Sequence, residues 1–316
     1  MSNKSNNQGR AYEFICLLTL KEEISKIRTV RINENRSYYA AKRAWETLNK
    51  DMQHIYKISS YAAVAKIVAL EPRMIEKGED VLDLLIQTDT EGENGDVRDI
   101  LIIRNRIHWE IGLSLKHNHF AVKHSRLGDK LDFGYKWYGI PCSPDYWNDV
   151  KPVFDYLKDK QKSHLKFKDL PNKEDEVYVP LLKAFINEIK RQYLKQKNIS
   201  SKLVEYLLGE YDFYKIISVD KKRMTQIQPY NLRGTLGKAS QDKKSITIPI
   251  ATLPTRIVNL DFAPNKRNTV ELYMDGGWQF SFRIHNAKTE IEPSLKFDIQ
   301  IVGMPTAIIT LNCFWE

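Results

Sequence analysis

The ten residues from His108 to His117, HWEIGLSLKH, alternate in a way that sorts their side chains onto two chemically opposite faces of a strand. Trp109, Ile111, Leu113 and Leu115 point one way. Glu110, Gly112, Ser114 and Lys116 point the other, so a carboxylate, a gap, a hydroxyl and an ammonium share one face. A solvated outer face of an antiparallel sheet shows the same alternation. The residues just upstream give this face a chemistry. Gly95-Asp-Val-Arg-Asp99 places Asp99 at the mouth of DILII, a strand too apolar to face water. If the two strands are neighbours, Asp99 can hold a divalent cation next to Lys116, with water oriented for attack on a phosphodiester. Mg²⁺ is the expected ion, because hard oxygen ligands suit it and a phosphate can complete its shell.

Asp99 followed by Ser114-Leu115-Lys116 resembles the PD-(D/E)xK nuclease core, with serine where the second acid usually stands. At ~3.3 Å per residue, Glu110 lies ~13 Å along the strand from Ser114, so it fills the gap only if a bulge intervenes. The resemblance implies a carboxylate drawn from elsewhere. Glu13, in Gly9-Arg-Ala-Tyr-Glu13, is the first candidate and Asp96 the reserve. Longer strings, NNQGRAYEF, GDVRDILI, WEIGLSLKHNHFAVKHSRL and FRIHNAKTEIEPSLKFDIQIVG, resemble a Type II restriction endonuclease family essentially end to end. That resemblance implies a Mg²⁺-dependent enzyme cutting both strands of GGCC between G and C to blunt ends. It also implies a bacterial cytoplasmic setting, a protecting methyltransferase and a homodimer on palindromic DNA. The same basic surfaces would equally serve a regulator that binds DNA without cutting it.

The chain has 316 residues, with 49 Lys+Arg against 40 Asp+Glu, so a formal charge of +9 suits a polyanionic partner. The hydrophobic share of 42% suffices for a core. No apolar stretch approaches the ~18 residues of a membrane span, and MSNKSNNQGR lacks a secretory h-region. Cys16, Cys142 and Cys313 are odd in number and form no CxxC pair, which excludes a disulfide scaffold and a zinc finger. Pro141-Cys142 echoes the nucleophile of DNA cytosine methyltransferases, but no Gly-rich cofactor loop accompanies it and an inert thiol explains it.

Groups able to bind DNA cluster in three places. His117, Asn118, His119, Lys123, His124 and Arg126 read as a loop against the phosphate backbone. Asp220 to Lys244 holds seven basic residues and two acids, among them Arg223, Arg233 and Lys238; Arg233 is the first candidate for guanine. Arg283, His285 and Asn286, with Lys296 further on, sit on the wet side of a strand whose Phe280, Phe282 and Ile284 read as core.

The elements that must position these groups form an α+β pattern, a mixed central sheet flanked by helices with a β-rich C-terminal region. The first eighty residues read as helical, with Ser37 capping a second helix and Tyr61–Leu70 forming a third. Strands are expected at Val81–Thr88, Asp99–Arg104 and His108–His117, the first two parted by a turn in TDTEGENGD. Helices return from Ser143, with Pro144 at the first helical position, through Val179–Lys197. Strands then follow in SITIPI, TVELYM, WQFSFRI, KFDIQIVG and AIITLNCFW. The expected division is a catalytic region over 1–210 and a β-rich DNA-recognition region over 211–316.

Overall fold

A computed structural model of the chain describes residues 2–88, 96–118 and 121–315, without the side chains of residues 2–6, 121 and 124. The turn expected in TDTEGENGD therefore lies almost wholly outside the described residues. So do His119 and the side chain of His124.

The chain forms two compact units, one from residues 1–120, 209–251 and 306–316, the other from 121–208 and 252–305. This corrects the expected cut between 210 and 211. Three of the strands that follow residue 211, over 213–219, 224–230 and 311–314, complete the sheet begun by the N-terminal segment, so no single cut separates the two cores.

The first unit is built on a seven-stranded mixed sheet. Its strands are β1 (Val30–Asn33), β2 (Leu82–Ile86), β3 (Ile100–Arg104), β4 (Trp109–His117), β6 (Phe213–Val219), β7 (Met224–Tyr230) and β12 (Leu311–Phe314), in the order β1-β2-β3-β4-β6-β7-β12. β4 pairs antiparallel with β3 and parallel with β6, so the strand with the polar face stands at the centre of the sheet. Helices α1 (Ser2–Ser25), α2 (Arg36–Glu46) and α3 (Lys50–Leu70) belong to the same unit. Tyr12, Cys16 and Leu20 of α1 and Tyr56, Ala63 and Ile67 of α3 are fully buried in one cluster with Trp109, Ile111, Leu113 and Leu115. Burying each such side chain contributes roughly 1.5–3 kcal/mol, which decides the face on which β4 meets its helices. A polar seam fixes α3 against its neighbours: the Tyr12 hydroxyl lies 2.7 Å from that of Ser59, which lies 2.8 Å from that of Thr225 on β7.

Asn35, rather than Ser37, caps α2 by accepting from the Tyr38 amide, and Asn49 does the same for α3 through the Met52 amide. The third helix therefore starts eleven residues before Tyr61. SITIPI, at 245–250, forms no strand. Its backbone joins a loop that bonds to Gly237 and Asn231.

The second unit holds an antiparallel sheet of β5 (Ala121–Gly128), β8 (Ile257–Phe262), β9 (Thr269–Met274), β10 (Gln279–His285) and β11 (Ser294–Gly303), ordered β5-β11-β10-β9-β8. Helices α4 (Phe133–Tyr138), α5 (Pro144–Lys162), α6 (Val179–Lys195) and α7 (Ile199–Leu208) complete it. Ser143 caps α5 as the sequence predicts. Phe133, Trp137, Phe185, Phe282 and Phe297 pack ring on ring, so the aromatics of β10 are core.

Candidate active site

Asp99 stands one residue before β3, where its amide donates to the Leu113 carbonyl at 2.7 Å. That bond sets its side chain beside Ser114 on β4. Three donors then converge on one carboxylate oxygen. Oδ2 accepts from the Leu115 amide at 2.6 Å, the Ser114 hydroxyl at 3.3 Å and the Lys116 ammonium at 3.3 Å. Among the described residues, Oδ1 accepts no hydrogen bond. Asp99 and Lys116 are each about one-quarter exposed, at 25% and 26%, so the pair is both pre-formed and open to a solute.

The polar face of β4 continues toward its start under Arg98. The Arg98 side chain crosses Gly112 so closely that a Cβ there would lie 2.0 Å from its Cδ. Its guanidinium grips Asp96 through Nε and Nη2 at 2.9 and 2.7 Å, reaches Glu110 at 2.8 Å, and lies 3.9 Å from the Tyr211 ring centre. Burial opposes ionisation of Asp96, but the bonds from Arg98 and Gln87 prevail and hold its carboxyl below the usual range. Asp96 and Glu110 are thus occupied by Arg98. Glu13 sits on α1, where burial first and the Glu13 charge second raise the thiol of Cys16. Among the described residues, no three His, Cys, Asp or Glu side chains converge closely enough to hold a metal by themselves. The donor chemistry that is present, one carboxylate oxygen open beside a hydroxyl, fits an ion such as Mg²⁺. That ion keeps several waters and takes one or two carboxylates plus substrate phosphate.

One neighbour of this face escapes a reading of the sequence. Lys215 on β6 is paired in register with Ser114, so both side chains leave the sheet on the same side, yet Lys215 is only 4% exposed. Burial first, and the Lys116 charge second, pull its ammonium down to about 7. His117 leaves on the opposite face. Its Nε2 bonds Asp220 at 2.6 Å and its Nδ1 shares a 2.9 Å bond with the Tyr56 hydroxyl. Asn118 joins the same cluster, donating to Asp220 at 3.0 Å. The side chains of His117 and Asn118 therefore tie the end of β4 to the end of β6.

The expected loop becomes β5 from residue 121 onward. Lys123 donates to the Tyr206 carbonyl at 2.7 Å and lies over that ring, and burial lowers its ammonium to about 8. Arg126 stays exposed and pairs with Glu292 at 2.9 Å. Across the sheet Arg126 is in register with Lys296, and Lys296 with His285, which sets the three side chains in one row on β5, β11 and β10, where burial first holds the His285 imidazole below its ordinary range. Arg283 pairs with Asp298 at 3.0 Å, and Asn286 turns back to the Lys288 carbonyl at 2.6 Å.

In the first unit, Arg233 and Lys238 are exposed on the loop after β7, and Arg223 is exposed in the β6–β7 turn. Asp212, 4% exposed at the foot of β6, accepts the amides of Leu232, Arg233 and Thr235 at 2.7, 2.9 and 2.8 Å. The loop that carries Arg233 is thus fixed to the strand that carries Lys215. Cys142, 7% exposed in the second unit, accepts the Gly134 amide through Sγ, and burial drives its thiol far above the ordinary range. It is an inert thiol, not a nucleophile.

No solved structure matches the chain. A curated relative, the Type II restriction enzyme HaeIII of Haemophilus aegyptius, is 54% identical over 318 residues and is covered, as this chain is, over 100% of its length. The family described as HaeIII restriction endonuclease matches residues 9–305. With an acid and an amine meeting on the polar face of a mixed sheet, and with likeness along its whole length, the chain belongs to the HaeIII restriction endonuclease family.

Proposed function

We propose that this restriction endonuclease cuts duplex DNA at GGCC between G and C, leaving blunt ends, with Mg²⁺ and with Asp99, Ser114 and Lys116 as the groups at the scissile phosphate. The observation that carries the reading is the 3.3 Å contact between Lys116 and Asp99 on adjoining strands, open to solvent on one side. Asp99 is the residue that would hold Mg²⁺. When bound, the ion neutralises phosphate charge and lowers the pKa of water. Lys116 holds a fixed positive charge where negative charge grows on the phosphate oxygens, and Ser114 offers a hydroxyl beside it. Glu13 is retained as the second acid, to be brought in with substrate, and Asp96 and Glu110 act on this site through Arg98.

Duplex DNA is met by the exposed Arg223, Arg233 and Lys238 and by the Arg126–Lys296–His285 row, with Arg283 beside it. Arg233 is proposed to read guanine, because a GC-only site presents O6 and N7 acceptors. His119 and His124 keep their expected place among the phosphate contacts. A palindromic site suits a two-fold homodimer, and the host site suits protection by a methyltransferase. Family membership sets aside the reading as a regulator that binds without cutting.

A digest of plasmid DNA tests the proposal. The wild-type chain with Mg²⁺ should give the fragments expected of GGCC, and chelation should stop it. Lys116→Ala and Asp99→Ala should each lose cleavage by about 10³-fold or more while still binding the duplex in Ca²⁺. Full cleavage by either variant overturns the assignment.

A further inference from the structure

Asp212 is a buried carboxylate with no part in the chemistry proposed above. Its Oδ1 accepts the Leu232 and Arg233 amides at 2.7 and 2.9 Å, and its Oδ2 accepts the amide and the hydroxyl of Thr235 at 2.8 and 2.9 Å. These donors on an acid only 4% exposed bend residues 232–235 around it. Gly234 permits the bend, with φ at +73°. Successive amides that converge in this way form an anion-binding nest, and here the chain's own carboxylate fills it. The backbone is turned inward, and the Arg233 side chain is exposed.

The rest of the loop is held from another segment of the same unit. The Gly237 amide bonds Glu71 at 2.8 Å, the Ala239 carbonyl accepts from Arg73 at 2.8 Å, and the Gln241 amide bonds Glu76 at 2.6 Å. Asp212 itself stands beside the candidate site. It precedes Phe213, which is in register with Gly112 of β4, and follows Tyr211, whose ring centre lies 3.9 Å from the Arg98 guanidinium. The acid that bends the loop therefore belongs to the same strand end as the groups that flank Asp99.

We infer that Asp212 is a positioning residue for specificity, which pins the turn that carries Arg233 so that its guanidinium reads one base pair of the site. The inference rests on the proposed reading of GGCC by Arg233. A guanidinium meets guanine O6 and N7 through two bonds, so its discrimination depends on placement to within ~0.5 Å. Attraction to phosphate is far more tolerant, because it acts over roughly 8–10 Å. An unpinned Arg233 thus keeps its electrostatic share of binding and loses its selectivity.

Selectivity is read apart from affinity by fluorescence anisotropy, with Ca²⁺ in place of Mg²⁺. The full-length chain, Asp212→Asn, Arg233→Ala and the double variant are each titrated with three kinds of duplex: one containing GGCC, one set changed at a single base pair of it, and one without it. In Asp212→Asn, whichever way the new amide turns, its NH₂ group faces two of the loop's donors. The preference for GGCC over the changed duplexes should fall about tenfold at the base pair that Arg233 reads. Affinity for the duplex without the site, and the slope of log K against log[salt], should match the wild type. Arg233→Ala should lose the same preference, and the double variant should lose no more than Arg233→Ala does. A merely structural role would weaken binding to every duplex alike, or add to the Arg233→Ala loss. Either result, or an undiminished preference in Asp212→Asn, overturns the inference.

Should Asp212→Asn not fold, Gly234→Ala disturbs the same turn, since alanine is strained at that φ and its Cβ would lie 2.9 Å from Cδ1 of Ile250. Its preference for GGCC should fall likewise, and an undiminished preference overturns the inference. If Arg233→Ala keeps the full preference, the reading of Arg233 fails and takes the inference with it. If Arg233→Ala loses the preference and Asp212→Asn keeps it, only the positioning role is lost.

Discussion

Two groups of charged side chains in the first unit use the same chemistry to opposite ends. Near the start of β2, Arg28, Glu76, Asp80 and Arg104 form a closed network whose side chains are 0%, 6%, 7% and 3% exposed. Arg104 forks onto both oxygens of Asp80 at 2.9 and 2.8 Å and also bonds Glu76 and the Arg73 carbonyl. Arg28 adds the Glu76 and Asp80 carbonyls at 2.7 Å each, while its buried Nε has no partner among the described residues. The Asp99–Lys116 pair has one 3.3 Å contact, one carboxylate oxygen with no bond among the described residues, and a quarter of each side chain in water. Saturation marks a group whose work is finished on folding. Spare coordination at a fixed position marks one that still has a partner to take.

The sharpest way to break that contrast is to remove one member of the closed network. Arg104→Ala leaves Asp80 and Glu76 buried without their shared cation, a change that costs ~3–5 kcal/mol in comparable buried pairs. Its urea midpoint should fall steeply, while cleavage per folded molecule stays near wild type. Lys116→Ala should do the reverse, with lost cleavage and an unchanged midpoint. If Arg104→Ala unfolds no earlier than Lys116→Ala, saturation does not separate structural from functional charge here.

How much of this was legible in the sequence follows from where each interaction is encoded. Alternation along β4 is local, so the division of its residues between core and polar face could be read from ten letters, and the apolar DILII made Asp99 conspicuous. The contacts of His117 were not legible because its partners lie 61 and 103 residues away, at Tyr56 and Asp220. Lys215 was invisible for a related reason. It is one lysine in the apolar run FYKIISV, and only the parallel pairing of β6 with β4 gives it a place beside Ser114. Asn35 outcompeted Ser37 as a cap because the chain leaves β1 only two residues earlier, and β1 has just four residues in which to show a period. The single expected domain cut failed for want of any local signal that β6, β7 and β12 return to the first sheet.

A second prediction joins the two regimes. Arg98 is saturated like the closed network, yet it immediately precedes Asp99, and it fits only because Gly112 has no side chain. In Gly112→Ala the new methyl meets Cβ, Cγ and Cδ of Arg98 within 2.8 Å, so the guanidinium has to withdraw from Asp96 and Glu110. Overpacking of this kind costs ~1–3 kcal/mol. Displacement of a positioned group by an ångström costs about 10²-fold in rate. Gly112→Ala should therefore lose both, read by urea melts and by single-turnover cleavage. A loss of stability alone would show that Arg98 does not position Asp99.

The narrowest effect, confined to one span of pH, concerns Glu71, a fully buried acid that accepts from the Tyr214 hydroxyl at 2.5 Å and the Gly237 amide at 2.8 Å, while its Oε2 has no partner among the described residues. Burial outweighs those bonds and pushes its carboxyl up from 4.5 to about 7. Between those values the folded chain keeps a proton that the unfolded chain has released, so stability falls as pH rises from 4.5 to 7 and levels off above. Glu71→Gln keeps an oxygen for both donors and has no proton to lose. Relative to it, the wild-type chain should lose about 3 kcal/mol across that window. Parallel urea midpoints for the two proteins from pH 4.5 to 7 would show Glu71 to be ionised in the fold, as its saturated neighbours Glu76 and Asp80 are.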